Sequence, residues 1–355
     1  MSATTARRDE RAALPTWLSE GAALLAPFAV ALLVGGVVLA LTGRDALGTY
    51  RLLLQQAFGG SIAIANTLVA TTPVLLAGLA TAVAFRAGVF TIGVEGSLYL
   101  GAFAAAWVGF TFTGLAGIAL APLAMVAAAA AGALWSAPPA MLRAWLGVDE
   151  VVSTLMLNYV AILLTSFLVN EFFLAPGIAN SMSPLVAEQA RLPALIPRTQ
   201  LTVAFLIALA ATALTAAVFR ATAAGYDLRI AGLSPRFAAA TGISLAAVII
   251  GAMLASGLLG GLAGGLQVLG VNYRFIDRFS PGYGFTGIAV ALLGRNTPLG
   301  VLLAALFFGA LANGGAMIQL FSDVPIDLIN LLQGTVMILA VVQFGRLRGV
   351  RLRRA

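Results

Sequence analysis

Long apolar runs, one after another, dominate this chain and leave few folds open to it. A helix needs about 20 residues to cross the hydrocarbon of a bilayer. Runs of that order lie at 22–42, 62–85, 93–113, 117–140, 151–173, 200–219, 245–270, 298–320 and 325–344. A shorter one at 283–294 makes a tenth. Backbone in lipid has no water to bond, so it must satisfy its own donors and acceptors, as a helix does. The expected fold is therefore an all-α integral membrane protein of about ten transmembrane helices.

Composition agrees. Charged residues are 9% of the chain and hydrophobic residues 61%, whereas a soluble domain carries about 25% charge. The net charge of +7 raises the question of nucleic acid, but the arginines sit at the ends of the apolar runs. Arg7, Arg8 and Arg11 precede the first run, and Arg346, Arg348, Arg351, Arg353 and Arg354 follow the last. With the N-terminus inside, ten spans place 14 arginines on the inner side and 6 on the outer. That asymmetry puts both termini in the cytoplasm and argues for a lipid bilayer, not nucleic acid, as the partner. Residues 1–20 read as a cytoplasmic tail, 21–345 as the transmembrane domain and 346–355 as a basic cytoplasmic tail. No small-residue cleavage site follows the first run, which is expected to be retained.

Absences limit the chemistry. The chain has no Cys, His or Lys. Thiolate and imidazole metal ligands are excluded, and no metal site or catalytic residue is expected. A P-loop needs a Lys on the nucleotide phosphates, so any ATP and Mg that drive this protein bind to a partner, and no cofactor is expected in this chain.

Between the runs, residues 44–60 contain Tyr50, Arg51 and Leu52–Leu54 ahead of Gln55 and Gln56 and suit a short helix lying along the outer interface. Residues 174–199, with Pro176, Pro184, Pro193 and Pro197, form the longest outer loop, and residues 220–244 the longest inner one. Within the run at 245–270, Gly257, Gly260, Gly261, Gly264 and Gly265 make overlapping G-x-x-x-G pairs, the signature of close helix packing in lipid.

Four segments combine polar or aromatic residues with interrupted helix. In Phe85–Gly96, glycines at 88, 93 and 96 break the helix, and Glu95 either pairs with Arg86 at the inner interface or faces a cavity. In Gly147–Tyr159, Asp149 and Glu150 suit the positive end of a helix dipole, and Asn158 lies two turns deeper, where an amide bonds a neighbouring helix or meets solute. In the inner loop, Ser234 is a good N-cap, Pro235 a good first helical residue and Gly242 a good left-handed stop. The two-turn helix between them is small-faced through Ala238, Ala239 and Ala240 and fits another protein's groove or serves as a connector. In Phe279–Gly294, a second Gly-broken apolar run echoes the first around Phe90 and Thr91, and the two fall on opposite faces, as an inverted repeat would place them.

Taken together these segments resemble the permease subunits of bacterial ABC importers of the ribose/simple-sugar and nucleoside family, over residues 60 to 344. The family's F-N-I-G-x-E-G is matched by Phe90–Gly96, its N-E-V-x-S-T-x-M-L-N-Y by Asp149–Tyr159 and its L-R-x-x-G…A-A-x-x-G-I by the inner loop. Its G-F-x-G-I-A-V-A-L-L-G-x-x-x-P-x-G is matched through Pro298 and Gly300. Thr91 and Asp149 stand where the family shows Asn. The resemblance implies a transport subunit and not an enzyme, paired with a second permease, a cytoplasmic ABC ATPase and an extracytoplasmic solute-binding protein in the bacterial inner membrane. It implies that the ATPase is gripped through Arg229, Gly232, Ser234, Pro235, Ala238, Ala239 and Gly242. It also points to a solute path near Asn66, Phe90, Glu95, Asn158, Phe285 and Gln333, residues that suit a neutral, ring-shaped solute. The long N-terminus and long 174–199 loop favour a nucleoside, with ribose, another simple sugar or a branched-chain amino acid as alternatives. An ion-coupled secondary transporter is the reading from another class. It needs buried carboxylates, and only Glu95, Asp323 and Asp327 lie near spans.

Overall fold

The computed structural model describes residues 45–177 and 180–321, together with 33, 34, 36, 37, 39, 40, 331, 334, 335 and 338. Both tails and Gln333 fall outside the described residues, as do most of the apolar runs at 22–42 and 325–344.

Eleven helices order the described chain: α1 (Ala46–Phe58), α2 (Ser61–Arg86), α3 (Val94–Thr111), α4 (Gly117–Leu146), α5 (Glu150–Glu171), α6 (Ala204–Ala221), α7 (Ala223–Leu233), α8 (Pro235–Ala240), α9 (Leu245–Gln267), α10 (Tyr283–Leu293) and α11 (Pro298–Phe321). A π turn, Val268–Asn272, prolongs α9. Among the described residues no strand forms, only two isolated bridges, Met182 with Ile276 and Ala194 with Thr202. Among the described residues six helices are long and apolar enough to cross a membrane: α2, α4, α5, α6, α9 with its π turn, and α11. The 18-residue α3 carries Glu95 in its first turn, and α10 has only 11 residues.

The eight apolar runs that fall among the described residues match these helices closely, and several are bounded by residues that end a helix. Gly147 closes α4 in the left-handed conformation (φ 66°). Asp149 opens α5, its carboxylate accepting from the Val151 and Val152 N–H groups. Ser244 opens α9 by accepting from Ala247 N.

Burial separates the helices into a centre and a rim. In α2, 78% of the apolar window is inside the protein, against 22% in α4 and α5. A helix apolar on every side belongs in the middle of a bundle, and α2 is enclosed there by α9, α10 and α11. Its threonines stay satisfied without water: Thr71, Thr72 and Thr81 each donate to a carbonyl one turn back.

The closest packing runs through the α9 glycines. Gly257 and Gly261 lie against α4 at Gly132 and Ala128, while Gly260 and Gly264 lie against α3 at Val94, Ser97 and Leu98. A methyl on Gly261 or Gly264 would run into the Ala128 or Leu98 carbonyl. In lipid there is little hydrophobic gain in bringing helices together, so backbone-to-backbone approach supplies the attraction.

At one end of the bundle Asn313 of α11 joins α1 and α2. Its amide donates towards Gln56 O, Ala63 O and Thr67 Oγ1 at 3.1–3.2 Å, and Thr67 Oγ1 donates to Ala57 O. The short helix expected within 44–60 forms as α1, anchored to the bundle by this amide.

Gly264→Val is expected to lower the stability of the detergent-solubilised protein by about 2 kcal/mol, the usual cost of overpacking. Gly251→Ala, where an added methyl meets nothing within 4 Å, is expected to be neutral or slightly stabilising. Thermal unfolding of the two variants side by side checks both.

Candidate functional site

Two interrupted helices meet at one carboxylate. Residues 87–93, between α2 and α3, do not form helix but run alongside α5. Their backbone groups find side-chain partners there. Phe90 N donates to Glu150 Oε1 at 3.1 Å, Ile92 N to Thr154 Oγ1 at 3.2 Å, and Gly96 N to Asn158 Oδ1 at 2.9 Å. Asn158 Nδ2 returns a bond to Ile92 O at 2.9 Å. Glu150, Thr154 and Asn158 are one turn apart, so the segment climbs about 12 Å along α5 before α3 begins. One orphan N–H of the first turn of α3, that of Gly96, is therefore met by a side chain well inside the bundle.

A second extended segment, residues 273–282, descends along α3 from the other end. The ring of Phe275, fully buried, sits edge-on to Phe103 at 5.8 Å and to Tyr99 at 6.4 Å. Phe279 lies 5.1 Å from Tyr99. The loop expected to lie outside the membrane holds this segment through backbone pairing: Ser183 N donates to Phe275 O, Val186 N to Tyr273 O and Asp277 N to Ser181 O. The Phe275 and Phe279 rings pack into the bundle because Tyr99 and Phe103 offer an aromatic face one turn apart.

The two segments converge on Glu95. Its Oε2 accepts from Gly284 N at 2.6 Å, and the Ser280 hydroxyl is a further partner. Ser280 Oγ itself accepts from Gly282 N and Tyr283 N. One carboxylate thus sits at the N-termini of both α3 and α10, where helix dipoles favour negative charge. Gly284 is needed for the approach, since a Cβ there would lie 2.5 Å from Glu95 N. The pairing of Glu95 with Arg86 considered from sequence does not form. Arg86 instead lies over the Phe219 ring, 4.2 Å from its centroid.

Of the other residues expected on the path, Asn158 is buried and serves the interhelical role described. Asn66 is half-buried on α2. Phe90 and Phe285, one beside each break, are 45% and 41% exposed. Phe90 stacks on Phe85 at 4.6 Å with 16° between the rings.

The inner loop is more helical than expected. Residues 223–233 form α7, capped by Thr222 Oγ1 on Gly225 N, before the anticipated α8 with Ser234 Oγ accepting from Phe237 N and Pro235 at its start. Gly242 adopts φ 84°, and Ile243 N donates back to Ala238 O, the left-handed stop anticipated from sequence. Ala238 is fully buried and anchors α8, so the anticipated alanine face is not all outward. Ala239, Ala240, Arg229 and Arg236 are exposed, together with Tyr226, Leu233 and Phe237. Gly232 faces inward, against Arg86 and Gly88.

Residues 63–341 match the family described as the permease component of branched-chain amino acid transport systems. The chain belongs to this permease family. It is similar to the glucose ABC transporter permease protein TsgB13 of Haloferax volcanii, 35% identical over 94% of this chain and 90% of that one. It is 35% identical to the guanosine ABC transporter permease protein NupP of Bacillus subtilis, over 84% of this chain and 87% of that one. The nucleoside ABC transporter permease protein NupB of Lactococcus lactis is 29% identical, over 88% of each chain. No solved structure matches the chain.

The permease is accordingly a multi-span membrane transport subunit. ATP hydrolysis belongs to a separate subunit, and the family works with ATPase and solute-binding partners. Its two departures from the family pattern have local explanations. Thr91 Oγ1 accepts from Gly93 N, turning the chain before α3, and Asp149 is the exposed N-cap of α5. Sequence reasoning gave Glu150 only a dipole role, whereas it also pairs with Arg143 Nε at 3.1 Å. Thr154 and Ser280 went unnoticed. The spacing of Glu150, Thr154 and Asn158 by four residues, a polar edge on an apolar helix, was the signal that could have found the first two.

Asn158→Leu is expected to cost about 2 kcal/mol, because it strips partners from two buried backbone groups. Faster hydrogen exchange at Gly96 than in the unaltered permease, with α6 unaffected, is the measurement that checks it.

Proposed function

We propose that this permease carries a nucleoside through a path lined by the two breaks, as one of a pair of permeases driven by a cytoplasmic ATPase. The observation that carries this reading is the placement of Phe90 and Phe285. Both rings are exposed, one beside each break, and Phe90 is braced by Phe85. A braced, exposed aromatic ring suits a planar nucleobase. The names of the similar guanosine and nucleoside permeases point the same way. The similarity to a glucose permease makes a sugar the second reading.

In this reading ten helices cross the membrane with both termini in the cytoplasm, Asn66 and Gln333 contribute to the path, and Glu95 shapes it as the hinge of two helices. The exposed apolar and basic face of α7 and α8 seats in the ATPase, through Arg229, Ser234, Pro235 and Ala239, with Gly232, Ala238 and Gly242 setting its shape. ATP binding by the partner then rocks the permease pair between inward- and outward-facing states, and a solute-binding protein delivers the cargo outside.

Uptake of labelled guanosine and uridine by cells expressing the permease with its partner subunits tests the cargo. Competition by unlabelled nucleosides, and none by glucose, ribose or leucine, is the expected result; inhibition by a sugar or by leucine reassigns the solute. Phe90→Ala is expected to raise the half-saturating concentration about tenfold, the value of one base–aromatic stack. Ala239→Trp is expected to leave membrane insertion intact while uptake per ATP hydrolysed collapses; normal coupled uptake would remove α8 from the ATPase interface.

A further inference from the structure

The segment 87–93 touches both ends of the proposed machine. At one end Gly88, at φ 81°, lies against Gly232 of α7 so closely that a methyl on Gly88 would stand 3.2 Å from the Gly232 Cα. A methyl on Gly232 would meet the Arg86 carbonyl and stand 3.1 Å from Gly88 N. Two glycines facing each other bring two backbones into contact with no compressible side chain between them. At the other end the same segment becomes α3, whose first turn carries Glu95 and its bond to Gly284.

Between these ends the segment is gripped by side chains, and the first grip is charged. Glu150 Oε1 accepts from Phe90 N, while its Oε2 pairs with Arg143 Nε at 3.1 Å. The Glu150 side chain is 10% exposed and that of Arg143 38%. Arg143 stands in the last turn of α4, so Glu150 ties three elements together at the residue that bears the exposed ring. Charge-assisted bonds are the stronger ones and fix geometry. Thr154 and Asn158 then hold the segment higher up, leaving it little freedom to bend between the α7 contact and Glu95.

We propose that residues 87–93 are a strut that carries movement of α7 to the α3–α10 junction, and that Glu150 is the positioning residue that keeps the strut, and the Phe90 ring, in register. This rests on α7 and α8 being the ATPase-facing segment. A push on α7 reaches Gly88 through the glycine contact. A segment anchored along α5 passes the push to Phe90 and Glu95 together, whereas a loosened one absorbs it. Glu150 needs no contact with solute for this role; it acts through the Phe90 backbone.

The test uses the complete transporter with its ATPase and solute-binding protein in proteoliposomes, reading uptake and ATP hydrolysis in the same vesicles. Glu150→Ala is expected to assemble with the ATPase and hydrolyse ATP, yet to move about tenfold less solute per ATP, as loss of a charge-assisted bond predicts. Glu150→Gln, which keeps an oxygen for Phe90 N, is expected to retain most of the coupling. The double exchange Arg143→Glu with Glu150→Arg keeps opposite charges but sets a donor where Phe90 N needs an acceptor, and is expected to remain uncoupled. An unchanged ratio of uptake to hydrolysis in Glu150→Ala, equal uncoupling in Glu150→Gln, or recovery in the double exchange overturns the strut. Ala239→Trp in the same vesicles separates the two readings: if it uncouples and Glu150→Ala does not, only the strut fails; if Ala239→Trp stays coupled, the ATPase-facing assignment fails first.

Discussion

Everything near the centre of this permease depends on finding partners for backbone groups where a helix has been interrupted in an apolar surrounding. An unpaired N–H or C=O buried there costs several kcal/mol, as there is no water to take its place. The protein breaks two helices all the same, before α3 and before α10, and meets the cost with side chains. Glu150, Thr154 and Asn158 receive the first segment; Glu95 and Ser280 receive the start of α10. Glu95, Glu150, Thr154, Asn158 and Ser280 each answer for one of these breaks. Glu95 is thus a structural keystone, its carboxylate standing at the N-termini of two helices.

Around that centre the bundle is held by shape. The α9 glycines let its backbone reach those of α3 and α4, and α2, apolar on all sides, fills the middle. Such packing gives a rigid frame, because close-packed interiors transmit displacement without absorbing it. The rim is different. One face of α5 carries Val152, Met156, Tyr159, Leu163 and Phe167, all exposed, while the opposite face carries the grips on segment 87–93. A single helix therefore presents apolar side chains outward and organises the interior.

Particular residues show where reading the sequence succeeded. Ser234, Pro235 and Gly242 bounded α8 correctly because capping is local: a hydroxyl, a fixed φ and a residue free to take positive φ act within one turn. The spans were legible for a similar reason, since twenty apolar residues admit few alternatives. The likeness between the two Gly-broken segments also had structural meaning, as both lead into helices that begin inside the bundle. Residues 273–281 and Glu150 were harder to read. A short stretch with Asn272, Arg274 and Asp277 carries no apolar period, and only Tyr99 and Phe103, some 170 residues earlier in the chain, give the Phe275 ring its buried place.

By itself the sequence determined that the chain lives in lipid, which stretches are helical, where several helices start and stop, and which family it resembles. Those properties follow from hydropathy, capping and motif order, all carried by neighbouring residues. The tertiary structure decided which carboxylate pairs with what: Glu95 with the α10 backbone and not with Arg86, Glu150 with both Arg143 and Phe90. It also decided that Ala238 is an anchor and that Phe90 and Phe285 are left exposed. A charge or a ring acquires its partner only when distant helices meet, and the energy of that meeting lies in close packing and buried hydrogen bonds, which no local window of sequence contains.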